Sequence, residues 1–200
     1  SYAFICAGAV IGLLTVFHGI TLPKPESDRP GDTQDLGRNV AETFRSFFDK
    51  PDIALILGYL LLFRLGESQL VKMATPFLLD ERGVGGMALG LEEVGWINGT
   101  VGIAALIIGG IISGVLAAMH GLKRWFWPMA LAMNLPNLAY VLLALFQPEN
   151  VLWTTLGVGI EKFGYGFGFT GFMLYLIYIA KGSHKTAHYA FGTGFMALGM

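Results

Sequence analysis

Ionisable side chains interrupt two apolar stretches of this sequence, and their types and spacing could do chemistry. Arg64 and Glu67 are three residues apart in the first stretch, and Lys72 follows five residues later. An i, i+3 spacing places Arg64 and Glu67 on one face of a helix, where they can form an ion pair. Glu161 and Lys162 are adjacent in the second stretch. Low dielectric disfavours the charged form of a carboxylate, so Glu67 and Glu161 are candidate proton-exchange groups.

Two interpretations of these charges stay open. Charged groups within a membrane-spanning helix cost about 2.5 to 3.5 kcal/mol each on insertion scales, so they usually face a protein interior or an aqueous pathway. In the first interpretation they line a polar cavity, where Arg64 and Lys72 bind an anionic group of a solute and Lys162 belongs to the same charge network. In the second they form salt bridges between helices and only fix packing. Because Arg64 and Lys162 oppose proton uptake by the neighbouring carboxylates, the sequence does not decide whether Glu67 or Glu161 titrates.

Uncharged polar residues lie in the same apolar stretches. We expect four of them to donate or accept hydrogen bonds with a solute: Asn98, Asn134, Asn137 and Tyr165. Hydrogen bonding between helices is the alternative for the asparagines. Tyr165 follows Glu161 by four residues and so shares its helical face. Pro136 removes a backbone hydrogen bond, which predicts a bend between Asn134 and Asn137.

Long apolar segments must position these side chains. The chain is 54% hydrophobic and 14% charged, whereas soluble domains contain about 25% charged residues. A membrane-spanning helix needs roughly 20 mostly apolar residues. The sequence therefore predicts an all-α integral membrane protein, with spans at residues 2–22, 53–79, 94–118, 125–146 and 151–180 and a partial span at 187–200.

Residues 23–52 form a polar region between the first two predicted spans. The first half is rich in proline and charge, which is typical of a linker. In the second half, residues 35–50, Val40, Phe44, Phe47 and Phe48 recur at helical spacing, which predicts an amphipathic helix. We expect this helix to pack on the protein's own surface, and contact with lipid headgroups is the alternative.

The positions of lysine and arginine in the loops predict the orientation in the membrane. Loops expected on one side contain nine of them: Lys24, Arg29, Arg38, Arg45, Lys50, Lys123, Arg124, Lys181 and Lys185. The alternating loops contain Arg82 alone. Because cytoplasmic loops carry the excess of basic residues, we expect residues 23–52 to be cytoplasmic.

Several function classes are disfavoured. A net charge of -1 provides no basic surface for nucleic acid. The four histidines do not have the spacing of a metal site, so we expect neither a metal nor a cofactor. The sequence has no phosphate-binding loop and no nucleophile elbow, which argues against an enzyme. Cys6, the one cysteine, cannot form an internal disulfide.

Three strings carry a resemblance to a known family: YLLLFRLGE at residues 59–67, TPFLL at 75–79 and EVGWINGTVG at 93–102. They resemble the AmpG-type muropeptide permeases and the related peptide–acetyl-coenzyme A transporters of the major facilitator superfamily. The resemblance matches Arg64 and Glu67 to a basic and an acidic residue of the seventh helix. It also matches Glu161 to a mid-membrane glutamate of the tenth helix.

The resemblance implies a bundle of twelve helices, of which this chain contributes about helices six to eleven. Residues 1–22 then correspond to the sixth helix, residues 23–52 to the linker and residues 53–200 to a truncated C-terminal bundle. Since the chain begins with Ser1 and ends at Met200 inside an apolar stretch, we expect a fragment of a longer protein.

The function implied by the resemblance is secondary active transport. A proton gradient would drive import of a muropeptide, or a related sugar or peptide solute, by alternating access between two six-helix halves. The implied location is the bacterial inner membrane, as a multi-pass protein. The implied partners are the solute, the lipid bilayer and the N-terminal half of the same transporter. The alternative is a non-transporting membrane scaffold or sensor with structural salt bridges inside the membrane.

Overall fold

The computed structural model describes residues 2–22, 36–182 and 184–200. These ranges contain no strand, as expected for an all-α protein. They contain ten α-helices, which are α1 (Tyr2–Thr21), α2 (Leu36–Phe48), α3 (Ile53–Phe63), α4 (Leu65–Leu79), α5 (Leu91–Trp96), α6 (Ile103–His120), α7 (Leu122–Asn134), α8 (Leu138–Phe146), α9 (Val151–Ile179) and α10 (Lys185–Leu198). The first, proline-rich half of the predicted linker lies largely outside the described residues.

The chain divides into two compact units, Ser1–Ala41 and Glu42–Met200. The first unit contains α1, a helix of 20 residues that is apolar on all sides, as a helix surrounded by lipid is. At 1.5 Å per residue it is about 30 Å long, which matches the hydrocarbon core of a bilayer. The second unit contains the helices from residue 42 onward, and every contact described below lies within it.

Among the described residues, four segments are long and apolar enough to cross a membrane: Phe4–Thr21, Ile53–Leu79, Leu91–His120 and Leu122–Phe146. The longest helix, α9, has 29 residues and a length of about 44 Å. Its many glycines and the Glu161–Lys162 pair make α9 less apolar than those four segments. Its length is sufficient to cross a bilayer, and the span at residues 151–180 stays a prediction from the sequence.

Three of the long helical segments are interrupted within their length. Arg64 separates α3 from α4 and has a φ of -96° and a ψ of -1°. A π-helical turn, Ile97–Gly102, separates α5 from α6. A 3-10 turn, Leu135–Asn137, separates α7 from α8 and contains Pro136, so the predicted bend is present. Such interruptions leave backbone N–H and C=O groups without helical hydrogen bonds and change the direction of nearby side chains. π-helical turns in particular often occur at functional sites.

Helix α9 is the centre of the second unit, and α6 and α7 pack along it. A Cβ atom on Gly166 would collide with the carbonyl oxygen of Leu106 on α6. A Cβ atom on Gly164 would collide with the carbonyl oxygen of Ala132 on α7. Glycine therefore allows the backbones of α6 and α7 to touch that of α9. The hydroxyl of Ser113, which is fully buried, donates a hydrogen bond of 2.6 Å to the Phe167 carbonyl oxygen across α6 and α9.

The end of α2 packs against α10. Phe47 is completely buried, and its ring lies 5.5 Å from the ring of Phe191 and 5.6 Å from that of His188. The Ser46 hydroxyl lies 2.9 Å from Nε2 of His188. Residues 42–48 of the predicted amphipathic helix thus pack on the protein itself, the first of the two alternatives. Of the four apolar residues in the predicted stripe, only Phe47 is fully buried, and Val40 and Phe44 are exposed.

Lys50 joins the end of α2 to the C-terminal end of α9. Its ammonium donates hydrogen bonds to the carbonyl oxygens of Ile179 at 2.6 Å and of Lys181 at 3.4 Å. Carbonyl groups at a helix C-terminus lack partners within the helix and favour a nearby cation. Burial lowers the pKa of the Lys50 ammonium below its usual value.

Candidate functional site

The break at Arg64 places its guanidinium over the first turn of α4. Nε and Nη2 of Arg64 donate hydrogen bonds of 3.0 and 2.7 Å to Oε2 of Glu67. Both residues are buried, with 6% and 3% of their surfaces exposed. The ion pair predicted from the i, i+3 spacing is therefore present. Hydrogen bonds between ionised partners are short and about twice as strong as neutral ones.

Side chains from α9 and α10 enclose the Arg64 guanidinium. Nη2 also donates a hydrogen bond of 3.2 Å to the hydroxyl of Tyr165. The guanidinium carbon lies 5.2 Å from the ring centre of Phe169, a distance at which a cation is attracted to the ring face. Nη1 lies 3.7 Å from the sulfur of Met196. Arg64 is thus held from three helices, which fixes its position in the bundle.

Glu161 is the second buried carboxylate, and fewer donors contact it than contact Glu67. It is 2% exposed, and Nζ of Lys162 lies 3.0 Å from its Oε2. Among the described residues, this ammonium is the one donor close to Oε2. The stem of Lys162 packs beside Gly102 in the π-helical turn. Glu161 therefore has charge compensation but retains an acceptor for a further proton or donor.

The two carboxylates belong to one electrostatic network. Arg64 donates hydrogen bonds to both Glu67 and Tyr165, and Glu161 lies one turn before Tyr165 on α9. These groups come from α4, from the break before it and from α9. The structure thus brings together Arg64, Glu67, Tyr165 and Glu161. Lys162, the predicted member of the charge network, joins them through its ion pair with Glu161.

The remaining predicted residues lie around this network rather than in it. Lys72 is exposed, and its ammonium donates a hydrogen bond of 2.9 Å to the backbone carbonyl oxygen of Met200. Asn134 is exposed, and its amide nitrogen donates a hydrogen bond of 3.0 Å to the carbonyl oxygen of Ala130. Asn98 lies in the π-helical turn and is half-buried.

Asn137 and two residues not predicted from the sequence contribute further buried polar atoms. Within the described residues, Asn137 Oδ1, Tyr140 Oη and Thr154 Oγ1 are buried without a hydrogen-bond partner. Tyr140 interacts electrostatically with Glu161. The sequence did contain one signal, because Thr154 precedes Glu161 by seven residues and so lies on the same helical face.

The described residues contain no group of three His, Cys, Asp or Glu side chains that could hold a metal ion. An apolar depression of about 510 Å³ does lie between α8 and α9, lined by Ala139, Leu142, Leu143, Phe146, Pro148, Trp153, Leu156, Gly157 and Ile160. It contains no ionisable side chain, and several of its residues are exposed. Such a surface suits lipid chains, so we place the candidate site at the charge network instead.

Apolar helices of membrane-crossing length, with ion pairs buried at their middle, define a multi-pass α-helical membrane protein. The family profile described as Major Facilitator Superfamily matches residues 1–200. The chain belongs to this superfamily, which confirms the family resemblance and the prediction of an all-α bundle of this type.

Curated relatives place the similarity within one branch of the superfamily. The chain is 29% identical over 179 residues to the anhydromuropeptide permease of Escherichia coli K12, covering 90% of this chain and 34% of the relative. It is 24% identical over 151 residues to AmpG 4, a candidate transporter of Rickettsia conorii, covering 76% of this chain and 35% of that protein. The chain thus spans about a third of the length of these relatives.

Proposed function

We propose that this chain is part of a proton-coupled secondary transporter that imports an anhydromuropeptide, or a related sugar-peptide solute, across the bacterial inner membrane. The observation that carries the proposal is Glu161, a buried carboxylate whose Oε2 is ion-paired, among the described residues, with the partly exposed ammonium of Lys162 alone. The name of the Escherichia coli relative supports the substrate class. Such a protein moves its solute without changing it chemically, so it is not an enzyme.

Glu161 suits proton exchange better than Glu67 does. Glu67 accepts two hydrogen bonds from Arg64, and both require an ionised carboxylate to be strong. Protonation of Glu67 would leave the Arg64 guanidinium buried without its counter-charge, which is costly. Protonation of Glu161 costs less because Lys162 is 23% exposed and can be solvated. Glu161 is therefore the proposed proton carrier, and the proton gradient is the proposed driving force.

Arg64 is the proposed recognition group for an anionic part of the solute. A carboxylate of the solute would compete with Glu67 for the guanidinium, which can bind such groups through two nitrogens. Lys72 would attract the same charge from a more exposed position. Asn98, Asn134, Asn137 and Tyr165 would donate or accept hydrogen bonds with sugar and peptide groups. Residues 23–52 would face the cytoplasm, as the basic residues of the loops indicate.

The direct test is uptake of labelled anhydromuropeptide into membrane vesicles that contain the full-length protein, with and without an imposed proton gradient. We expect gradient-driven uptake in the wild type and its loss in Glu161→Gln, which keeps the shape of the side chain but cannot ionise. Glu149→Gln is the matched control because Glu149 is exposed in the loop before α9. No uptake by correctly inserted wild-type protein would contradict the proposed substrate. Unchanged gradient-driven uptake in Glu161→Gln would contradict the role of Glu161.

A non-transporting scaffold or sensor is the second candidate, and one observation favours it. The Arg64–Glu67 pair is buried and mutually hydrogen-bonded, as a salt bridge that only fixes packing would be. The two candidates differ in the double variant Arg64→Met, Glu67→Leu. A scaffold keeps its fold and partners in this variant, whereas a transporter that uses Arg64 loses uptake while remaining folded.

A further inference from the structure

A groove opens on the surface of the second unit where the end of α6 and the start of α7 meet α9. Its volume is about 420 Å³, and its walls include Gly114, Ala118, Leu122, Leu174 and Ile177. This inner groove lies beside the basic loops that follow α6 and α9, so the loop charges place it on the proposed cytoplasmic side. It is separate from the charge network and from the depression between α8 and α9.

The walls of the inner groove are apolar above its mouth. Of the described residues that line them there, Thr170 alone has a polar side chain. Its hydroxyl is bonded to the carbonyl oxygens of Gly166 at 3.0 Å and of Gly110 at 3.4 Å. Its methyl carbon lies on the side of Gly114, where a Cβ atom would be 4.0 Å away. A sugar or peptide would lose its hydrogen bonds to water in this groove without gaining others, whereas a hydrocarbon chain would not.

The inner groove runs along α9 and ends at a cation. From Thr170 to Tyr178 the helix rises about 12 Å, along the direction in which the acyl chains of a bilayer extend. Lys181, at the mouth, directly follows the predicted span at residues 151–180, where a lysine reaches the level of the lipid headgroups. Its ammonium lies 4.2 Å from the ring centre of Tyr178, a contact that holds it over the mouth.

A second lysine lies beside the mouth. Lys181 and Ile177 also line an adjoining depression of about 430 Å³, whose walls include Lys185 and Thr186 of α10. Both lysines are exposed, and none of the ion pairs among the described residues includes either of them. Residues 162–200 contain no aspartate or glutamate. Two ammonium groups without a counter-charge therefore complement an anion at the mouth of an apolar groove.

We propose that the inner groove and its two lysines bind an anionic phospholipid of the cytoplasmic leaflet. One acyl chain lies in the groove, and the phosphate lies between Lys181 and Lys185. The cytoplasmic leaflet carries the anionic lipids, and basic pockets between membrane-spanning helices on that side bind such headgroups. The proposal goes beyond the proposed function, because it involves neither the solute nor the proton.

The depression between α8 and α9 provides an internal comparison. It is also apolar, but no ionisable side chain lines it. The nearby guanidinium of Arg82 donates hydrogen bonds to the carbonyl oxygens of Gln147 at 2.6 Å and of Pro148 at 3.0 Å. These carbonyl groups occupy the cation on this side. We therefore expect the depression between α8 and α9 to accept acyl chains of any phospholipid.

The test uses the full-length protein in vesicles of phosphatidylethanolamine. A small fraction of the lipid is phosphatidylglycerol with a photoreactive diazirine on one acyl chain, and mass spectrometry of peptides locates the labelled residues after illumination. We expect labelling within residues 170–178 that excess unlabelled phosphatidylglycerol removes and excess phosphatidylcholine does not. The same chain on phosphatidylethanolamine should label residues 170–178 weakly. Both lipids should label the depression between α8 and α9 equally.

Two kinds of variant test the two parts of the site. Lys181→Gln should lower labelling of residues 170–178 by phosphatidylglycerol about fivefold, and Lys181→Gln with Lys185→Gln about 25-fold. Lys181→Arg keeps the charge and should keep the labelling. Ala118→Phe places a ring in the groove from an exposed position and should abolish the labelling while both lysines remain.

Matched controls make the same chemical changes outside the site. Arg45→Gln removes an exposed cation from the proposed cytoplasmic side, where Arg45 is paired with Asp49. Ala104→Phe adds a ring to α6 at an exposed position that does not line the groove. Both variants are expected to be labelled as the wild type is.

Two results would overturn the site. Equal labelling of residues 170–178 by both lipids, unchanged in Lys181→Gln, would mean that the groove contacts bulk lipid only. No labelling of these residues by either lipid would mean that another helix covers the groove. Uptake of anhydromuropeptide and the protonation of Glu161 do not enter this measurement, so the lipid site and the proposed function stand or fall separately.

Discussion

Arg64 holds Glu67 through two nitrogens that donate to one carboxylate oxygen, at 3.0 and 2.7 Å, and the two side chains are 7% and 4% exposed. Every group that could replace Glu67, including an anionic group of a solute, must break both bonds. In the proposed transporter, an anionic group of the solute and Glu67 therefore compete for the Arg64 guanidinium. The pair is also a structural element whose loss can be measured without any transport.

Removal of one member of this pair should destabilise the protein strongly. Glu67→Ala leaves the guanidinium of Arg64 buried without its counter-charge, for which we expect a loss of about 3 to 5 kcal/mol. Arg64→Met combined with Glu67→Leu removes both charges and should recover most of that loss. Thermal unfolding of the purified full-length protein in detergent measures both effects.

The exposed Arg45–Asp49 pair is the control for this prediction. Its side chains are 84% and 67% exposed, so Asp49→Ala should cost no more than about 1 kcal/mol. Equal losses in Glu67→Ala and Asp49→Ala would mean that burial does not set the strength of the Arg64–Glu67 pair.

The contact between α6 and α9 should be sensitive to a single methyl group. Gly166→Ala directs a Cβ atom at the carbonyl oxygen of Leu106, where only backbone movement can relieve the clash. We expect a loss of about 1 to 3 kcal/mol, the usual cost of overpacking. In Gly159→Ala the new atom lies 3.6 Å from Val101 Cγ1, an ordinary contact, and this variant should be neutral. Melting temperatures that rank the two variants in the opposite order would contradict the packing of α6 on α9.

The attachment of α2 to α10 should depend mainly on Phe47. Phe47→Ala removes a completely buried ring and should cost about 3 to 5 kcal/mol. Phe44→Ala alters a ring that is 51% exposed and should cost clearly less. Limited proteolysis of the full-length protein tests this prediction, because a detached α2 exposes its backbone to cleavage. Equal cleavage of both variants and of the wild type would show that Phe47 does not hold α2 in place.

The proposed orientation predicts opposite labelling of two loops. In a background of Cys6→Ser, Lys123→Cys should react with a membrane-impermeant maleimide only from the cytoplasmic side. Glu149→Cys should react only from the opposite side, since its loop carries no basic residue. Right-side-out and inside-out vesicles provide the two measurements. Labelling of both positions from one side would refute the topology.

Local spacing was sufficient to predict some parts of the site. The Arg64–Glu67 pair follows from an i, i+3 spacing, and the interruption between α7 and α8 follows from Pro136, because both depend on residues within one turn. The break at Arg64 and the π-helical turn at 97–102 had no such signal. Neither contains proline.

Tertiary packing determined the rest. Thr154 and Tyr140 are ordinary residues in their own helices, and they become notable only because the folded bundle buries each hydroxyl without a hydrogen-bond partner. In α2 the apolar pattern predicted a face of four residues, yet the site on α10 accommodates Phe47 fully and leaves Phe44 exposed. The hydropathy of α9 is also lower than that of the other long segments, because the glycines that let it contact α6 and α7 make it less apolar.

Backbone contact between α6, α7 and α9 has a consequence for motion. Where carbonyl oxygens meet glycine, no layer of flexible side chains can deform to let one helix slide along another. The three helices should therefore travel as a rigid body during any conformational cycle. The interrupted segment formed by α3 and α4 meets α9 through side chains, both at the Arg64–Tyr165 hydrogen bond and where Phe63 stacks on Phe172. This segment is therefore the part able to bend, and opening and closing of a passage would begin there.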